Sequence, residues 1–284
     1  MNETPTQQAE AGKTAPATPE AKPRAKKEEG SFFVFLIKLL VIVLIFRSFI
    51  FSPFSIPSES MLPRLENGDH LLASKWSYGF SNNSLPLGIR PFPEGRLFAS
   101  QPERGDIVIF KHPIDGSDYI KRVIGLPGDQ VQMVGGVLFL NGEPVEKERI
   151  EDFEIAVSPN TSCAEQQFVA TGENGEAICR YPQFREQLPN GKSYNVLDFG
   201  MRPQDDTLPR VVPDGMMFLM GDNRDNSLDS RFPAEPGRGI GLVPQDNLVG
   251  GAAIMIWSTD GGSEWIKPWT WFTAARWTRL GGTF

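Results

Sequence analysis

The chain has 284 residues, 40% hydrophobic and 22% charged, a globular balance that excludes a wholly disordered or fibrous protein. Its formal net charge of −7 offers no basic footprint for nucleic acid. With two histidines and two cysteines in all, histidine chemistry falls on His70 or His112, and no Cys-x-x-Cys spacing signals a metal site.

Residues 1–30 hold Ala, Thr, Pro, Gln, Glu and Lys with few large apolar side chains, and read as a disordered tail. Residues 31–51 are apolar apart from Lys38 and Arg47, and about 20 such residues cross a bilayer as a helix. Both cations lie close enough to an end to snorkel. A cleaved signal peptide needs small residues after the apolar run, and Ser48-Phe49-Ile50-Phe51 is too bulky, so the segment reads as an uncleaved single-pass anchor. Lys22, Arg24, Lys26 and Lys27 precede it and only Arg64 follows closely, which puts the N-terminus in the cytoplasm and the chain from Ser52 outside.

Next comes Ile56-Pro57-Ser58-Glu59-Ser60-Met61-Leu62-Pro63. Its prolines disfavour helix and hold two serines on rigid chain beside Ile56, Met61, Leu62 and Leu65. Such a serine is a candidate nucleophile; an ordinary loop or capping serine is the alternative. His70 falls in a short strand, where it reads as structural. Residues 77–101 read as a loop, and Ile107–Phe110 as a buried strand.

In Asp118-Tyr119-Ile120-Lys121-Arg122-Val123-Ile124-Gly125, alternation puts Lys121 on a face with Tyr119 and Val123, and Arg122 with Ile120 and Ile124. Either both cations escape at a sheet edge or at least one is forced inward. A desolvated lysine loses its charge and becomes a base, whereas a buried arginine needs an acid. A meander follows through Gly135-Gly136 and Asn141-Gly142. Residues 146–210 read as an inserted β-rich lobe, with residues 52–145 and 211–284 forming the main β domain. Cys163 and Cys179 lie in the lobe, either free or joined; a loop of that size would be stabilised by roughly 3 kcal/mol. Met216–Met220 is a strand running into the polar loop Gly221–Arg231, either a site or a solvated turn. Trp265, Trp269, Trp271 and Trp277 lie near basic residues, suited to a membrane interface or to packing on the sheet.

Taken together, Ile56–Pro63, Tyr119–Asp129 and Gly221–Arg231 resemble, in order, the signature blocks of the bacterial type I signal peptidases. These are Ser–Lys serine proteases of the inner membrane that remove signal peptides from exported preproteins. The resemblance implies a mainly β fold: a transmembrane helix, then an antiparallel catalytic domain with an inserted lobe. It implies Ser60 as nucleophile, Lys121 as general base, and the Ser58 hydroxyl beside the Ser60 N–H as oxyanion hole. It further implies that Ser227 bonds Lys121, that Asp229 braces the site near Arg231, and that Arg122 pairs with Asp222. Phe54, Ile56, Pro57, Met61, Leu65, Ile109, Tyr119 and Ile120 match the pocket that accepts Ala-x-Ala. Preprotein signal peptides and the bilayer are the implied partners, with no cofactor, metal or nucleic acid. Glu59 stands where that family often has glycine, and Arg64 where it has threonine. Such a base must fall from about 10.4 to about 7.5, a cost of about 4 kcal/mol. No Gly-x-Ser-x-Gly or Ser-x-x-Lys occurs, against a hydrolase elbow or a penicillin-binding enzyme; a tethered β-rich binding module is the non-catalytic alternative.

Overall fold

The computed structural model describes residue 1 and residues 27–85, 95–264 and 266–284. Most of the tail expected to be disordered, 2–26, lies outside the described residues, as do 86–94 of the long loop and Trp265. Helix α1 runs Lys27–Phe49, so it starts within the expected tail and stops short of residue 51. Phe32–Phe49 is long and apolar enough to cross a membrane. Contact density divides the chain into Met1–Ile42 and a compact unit from Val43 to Phe284.

The anchor ends early because Phe51–Ser55 is a strand, β1, paired antiparallel to β2 (Asp69–Ser74). Pro53 cannot donate to a ladder, which suits an edge position. Strands β3 (Ile107–Lys111) and β4 (Asp118–Gly125) form a hairpin. Strands β5 (Gln130–Val134), β6 (Val137–Leu140) and β7 (Glu143–Pro144) make the expected meander. Its turns need positive φ at both central residues, which Gly135-Gly136 and Asn141-Gly142 supply.

The lobe holds β8 (Glu146–Ala156), β9 (Val169–Thr171), β10 (Ala177–Gln187) and β11 (Ser193–Leu197), with β10 at its centre. Cys163 and Cys179 are joined in a disulfide. The chain returns through β12 (Arg210–Val211), which pairs with β5. Strands β13 (Met216–Met220), β14 (Val243–Pro244) and β15 (Leu248–Ser258) complete a seven-stranded sheet, β1-β2-β15-β3-β4-β13-β14, with a proline in each edge strand. A short helix, α2 (Trp269–Thr273), follows.

The sheet is apolar on both faces at its centre. Ile107, Ile109 and Ile120 pack with Ile56, Met61 and Leu65. Val108, Phe110 and Val123 pack with Met217, Leu219 and Leu248. A third cluster mixes Leu188, Tyr194 and Val196 of the lobe with Val131, Met133 and Phe218, so lobe and sheet share one core. At the C-terminus Trp277 meets Trp257 edge-on at 5.7 Å, while Trp269 and Phe272 stay exposed. Arg276 and Arg279 are held by Glu66 and Asp69 rather than left loose beside the tryptophans.

Candidate active site

Ser60 opens a single turn of chain in which the Leu65 N–H donates to the Met61 carbonyl at 2.9 Å. Residues four apart on such a turn share a side, so Met61 and Leu65 both enter the core and Ser60 is left half-buried at its margin. Strand β4, whose Lys121 pairs in register with Val108 of β3, brings the lysine to the same place from the sheet. Lys121 Nζ lies 2.5 Å from Ser60 Oγ. Ser58 Oγ lies 3.4 Å from Ser60 Oγ.

Lys121 is 4% exposed. Burial pulls its amine down from the ordinary lysine value to about 8, against the opposing pull of Asp229 and Asp222. Arg122, its neighbour, is 7% exposed and takes the other solution. Its guanidinium forks onto Asp222 at 2.7 and 2.6 Å, donates to the Gly105 carbonyl at 2.6 Å and lies 4.2 Å above the Tyr194 ring. Both cations of β4 therefore go inward, one dried and one paired.

The loop after β13 closes the site. Burial alone would raise the Asp229 carboxyl, but Arg231 and the N–H groups of Gly221 and Arg231 hold it below its ordinary value. Arg231 Nε donates to Asp229 Oδ1 at 2.9 Å and Nη2 to Oδ2 at 3.0 Å. Ser60, Lys121 and the loop border a cleft of about 520 Å³, whose wall includes Phe54, Ile56, Pro57, Ile109, Tyr119 and Ile120.

A family model described as signal peptidase, peptidase S26, matches residues 30–257. The chain belongs to this family. Signal peptidase I of Rickettsia typhi is 37% identical over 242 residues, covering 82% of this chain and 81% of the relative. Signal peptidase I of Rickettsia prowazekii is 38% identical over 245 residues, with the same coverage. A crystal structure of an Enterococcus faecalis signal peptidase I aligns at TM-score 0.28 and 24% identity, over 54% of this chain and 97% of that one. As an S26 member the chain is a serine peptidase.

Three of the residues expected at this S26 site stand apart from the others. Met61 and Leu65, both fully buried, lie behind the cleft wall because the turn sends them into the core. Ser227 lines the cleft, but its Oγ makes no bond to Lys121 and is buried without a partner among the described residues. The chain tucks that hydroxyl against Gly221 instead: a Cβ on Gly221 would meet Ser227 Oγ at 2.3 Å and the Ser60 carbonyl oxygen at 2.4 Å. Neither histidine bonds Ser60. His112 is buried with Nε2 3.2 Å from the Gly239 carbonyl oxygen.

Sequence reasoning missed several residues of the site. The Asn223 N–H donates to the Ser60 carbonyl at 3.1 Å, and its Nδ2 to the Glu59 carbonyl at 3.2 Å, tying the loop to the Ser60 turn. Asn223 sits inside the Gly221–Arg231 block, so its signal was the block itself. Leu228, inside the block, and Phe232, directly after it, add apolar wall, and only that placement could have marked them. Glu59 accepts from the Ser162 N–H of the lobe, a contact no local pattern announces.

Proposed function

We propose that this chain is a membrane-anchored endopeptidase that removes N-terminal signal peptides from exported preproteins, with Ser60 as nucleophile and Lys121 as general base. The observation that carries the reading is one buried amine with a depressed pKa, 2.5 Å from one half-buried hydroxyl at the edge of an apolar cleft. Serine–lysine pairs replace the histidine of the usual triad.

Neutral Lys121 takes the Ser60 proton as Oγ bonds to the scissile carbonyl carbon. The Ser60 N–H and the Ser58 hydroxyl stabilise the oxyanion; one such donor is worth about 2.7–4 kcal/mol. Collapse breaks the C–N bond, and Lys121 returns the proton to the departing amine. Lys121 then takes a proton from water as the water oxygen attacks the ester carbon; the C–Oγ bond breaks, and Lys121 returns that proton to Ser60 Oγ, restoring the neutral amine and the hydroxyl. Asp229, held by Arg231, and Asp222, held by Arg122, fix the field around the amine. The apolar wall of Phe54, Ile56, Ile109 and Ile120 suits uncharged side chains, and with the family membership it supports cleavage after small-x-small (Ala-x-Ala) sites.

The helix Phe32–Phe49 would cross the bacterial inner membrane once, and the basic residues before it favour a cytoplasmic N-terminus and an extracytoplasmic catalytic domain. The test is a preprotein with an Ala-x-Ala site, incubated with the full chain in detergent or vesicles. Cleavage by the wild type, its loss in Ser60→Ala and Lys121→Ala, and its survival in His112→Ala are expected. A live Lys121→Ala beside a dead His112→Ala would overturn the mechanism; no cleavage by the wild type would favour a tethered binding module.

A further inference from the structure

Glu186 of β10 belongs to the lobe, yet its carboxylate is fully buried against the catalytic loop. Arg224, 2% exposed, forks onto it with Nη1–Oε1 and Nη2–Oε2 both at 2.6 Å. The Tyr194 hydroxyl of β11 donates to Glu186 Oε2 at 2.9 Å, and the Tyr194 ring carries the Arg122 guanidinium. Backbone contacts run alongside. The Leu197 N–H donates to the Asp222 carbonyl and the Arg224 N–H to the Leu197 carbonyl, both at 2.9 Å, so the end of β11 pairs with the loop beside Asn223. Asn223 in turn holds the Ser60 carbonyl.

A buried ion pair adds little net stability over apolar packing. Its effect lies in geometry, because a bidentate guanidinium–carboxylate pair admits essentially one orientation. Here that orientation fixes Arg224, whose Nε reaches the Gly221 carbonyl at 3.3 Å, at the point where the loop comes closest to Ser60. Nothing in the reaction uses Glu186 or Arg224 directly.

We propose that Glu186 is a positioning residue for the Ser60–Lys121 site: through Arg224 and Tyr194, the lobe holds the catalytic loop against the nucleophile turn. This rests on the Ser–Lys reading above. A displacement of about 1 Å at such a site costs on the order of a hundredfold in rate, so a loosened loop is read in kcat before it is read in folding.

The experiment compares wild type, Glu186→Gln and Glu154→Gln at a temperature where circular dichroism shows all three folded. Glu154 pairs with Arg180 at the exposed surface of the same lobe sheet and is the control. For Glu186→Gln, kcat is expected to fall about tenfold or more with KM within about twofold. The rising limb of the kcat/KM profile should also move to higher pH, because a loosened loop admits water to Lys121. Glu154→Gln should match the wild type. If Glu186→Gln does not fold, Tyr194→Phe removes the hydroxyl alone and is expected to lower kcat by about two- to fivefold at unchanged KM. A folded Glu186→Gln, or in its place Tyr194→Phe, with wild-type kcat and pH limb overturns the inference and leaves the Ser–Lys reading standing. A wild type that cuts nothing overturns both.

Discussion

Lys121→Met removes the amine while nearly conserving volume, and it separates the cost of the base from its use. The amine falls from its ordinary 10.5 to about 8 on folding. Between those values the unfolded chain still holds the proton that the folded chain has released, so stability rises with pH across that window. Below about 8 both states are protonated, and the folded state bears the whole cost of burying the charge. The fall from 10.5 to about 8 sets that cost at about 3 kcal/mol. Lys121→Met should therefore be inactive, yet gain about 3 kcal/mol on the wild type in going from pH 10.5 to pH 6. Equilibrium denaturation of both proteins in the same detergent at pH 6, 8 and 10 measures it, since other titrating groups cancel in the difference. A stability difference that stays flat with pH would refute the claim that Lys121 is kept dry.

On the Ser–Lys reading, kcat/KM of the wild type should rise with pH through an apparent value of about 8, measured on a peptide with no titrating group of its own. Gly221→Ala drives a methyl group against the Ser60 carbonyl and Ser227, and should lower kcat by roughly a hundredfold in protein that still folds, measured by single-turnover cleavage. Arg122→Met leaves Asp222 buried and unpaired and should cost about 3–5 kcal/mol in denaturant unfolding; Arg122→Lys should recover only part, because an ammonium cannot fork onto a carboxylate. Reducing the Cys163–Cys179 disulfide, 16 residues apart in sequence, should cost roughly 3 kcal/mol in the same assay, with activity of the folded fraction retained.

What could be read from the sequence was local. Period-two alternation, the Gly135-Gly136 and Asn141-Gly142 turns and the apolar run before Ser52 each report on neighbours within a few residues, and the strands and helix followed. Alternation at Lys121 and Arg122 left open whether both cations escape at a sheet edge or one is forced inward, and could not show which partner would meet a buried one; Asp222 lies 100 residues away. Met61 and Leu65 are expected in the cleft wall from their match to the family's pocket positions, and their complete burial follows from a turn geometry that no local pattern shows. Glu186 sits in an ordinary alternating strand, and nothing nearby shows that its carboxylate is dry. The disulfide was half-legible: two cysteines at hairpin spacing admit a bond, but only the folded lobe brings Cys163, which lies outside any strand, against Cys179 of β10.

Lys121 and Arg122 also show why the site needs the rest of the fold. Adjacent residues on a strand face opposite ways, so both can be buried only where a sheet is covered on both sides. Here the nucleophile turn covers one face of β4, and the loop and lobe reach around its end. An arginine in that position keeps its charge and must be paired, and Asp222 pairs it. A lysine left with a serine hydroxyl as its hydrogen-bond acceptor gives up part of its proton affinity instead. Opening any one cover would let water reach Nζ, return the amine towards its ordinary value and leave Ser60 without a base at neutral pH. On this account the inserted lobe is part of the catalytic apparatus, because it holds down the cover that neither the sheet nor the nucleophile turn can hold alone.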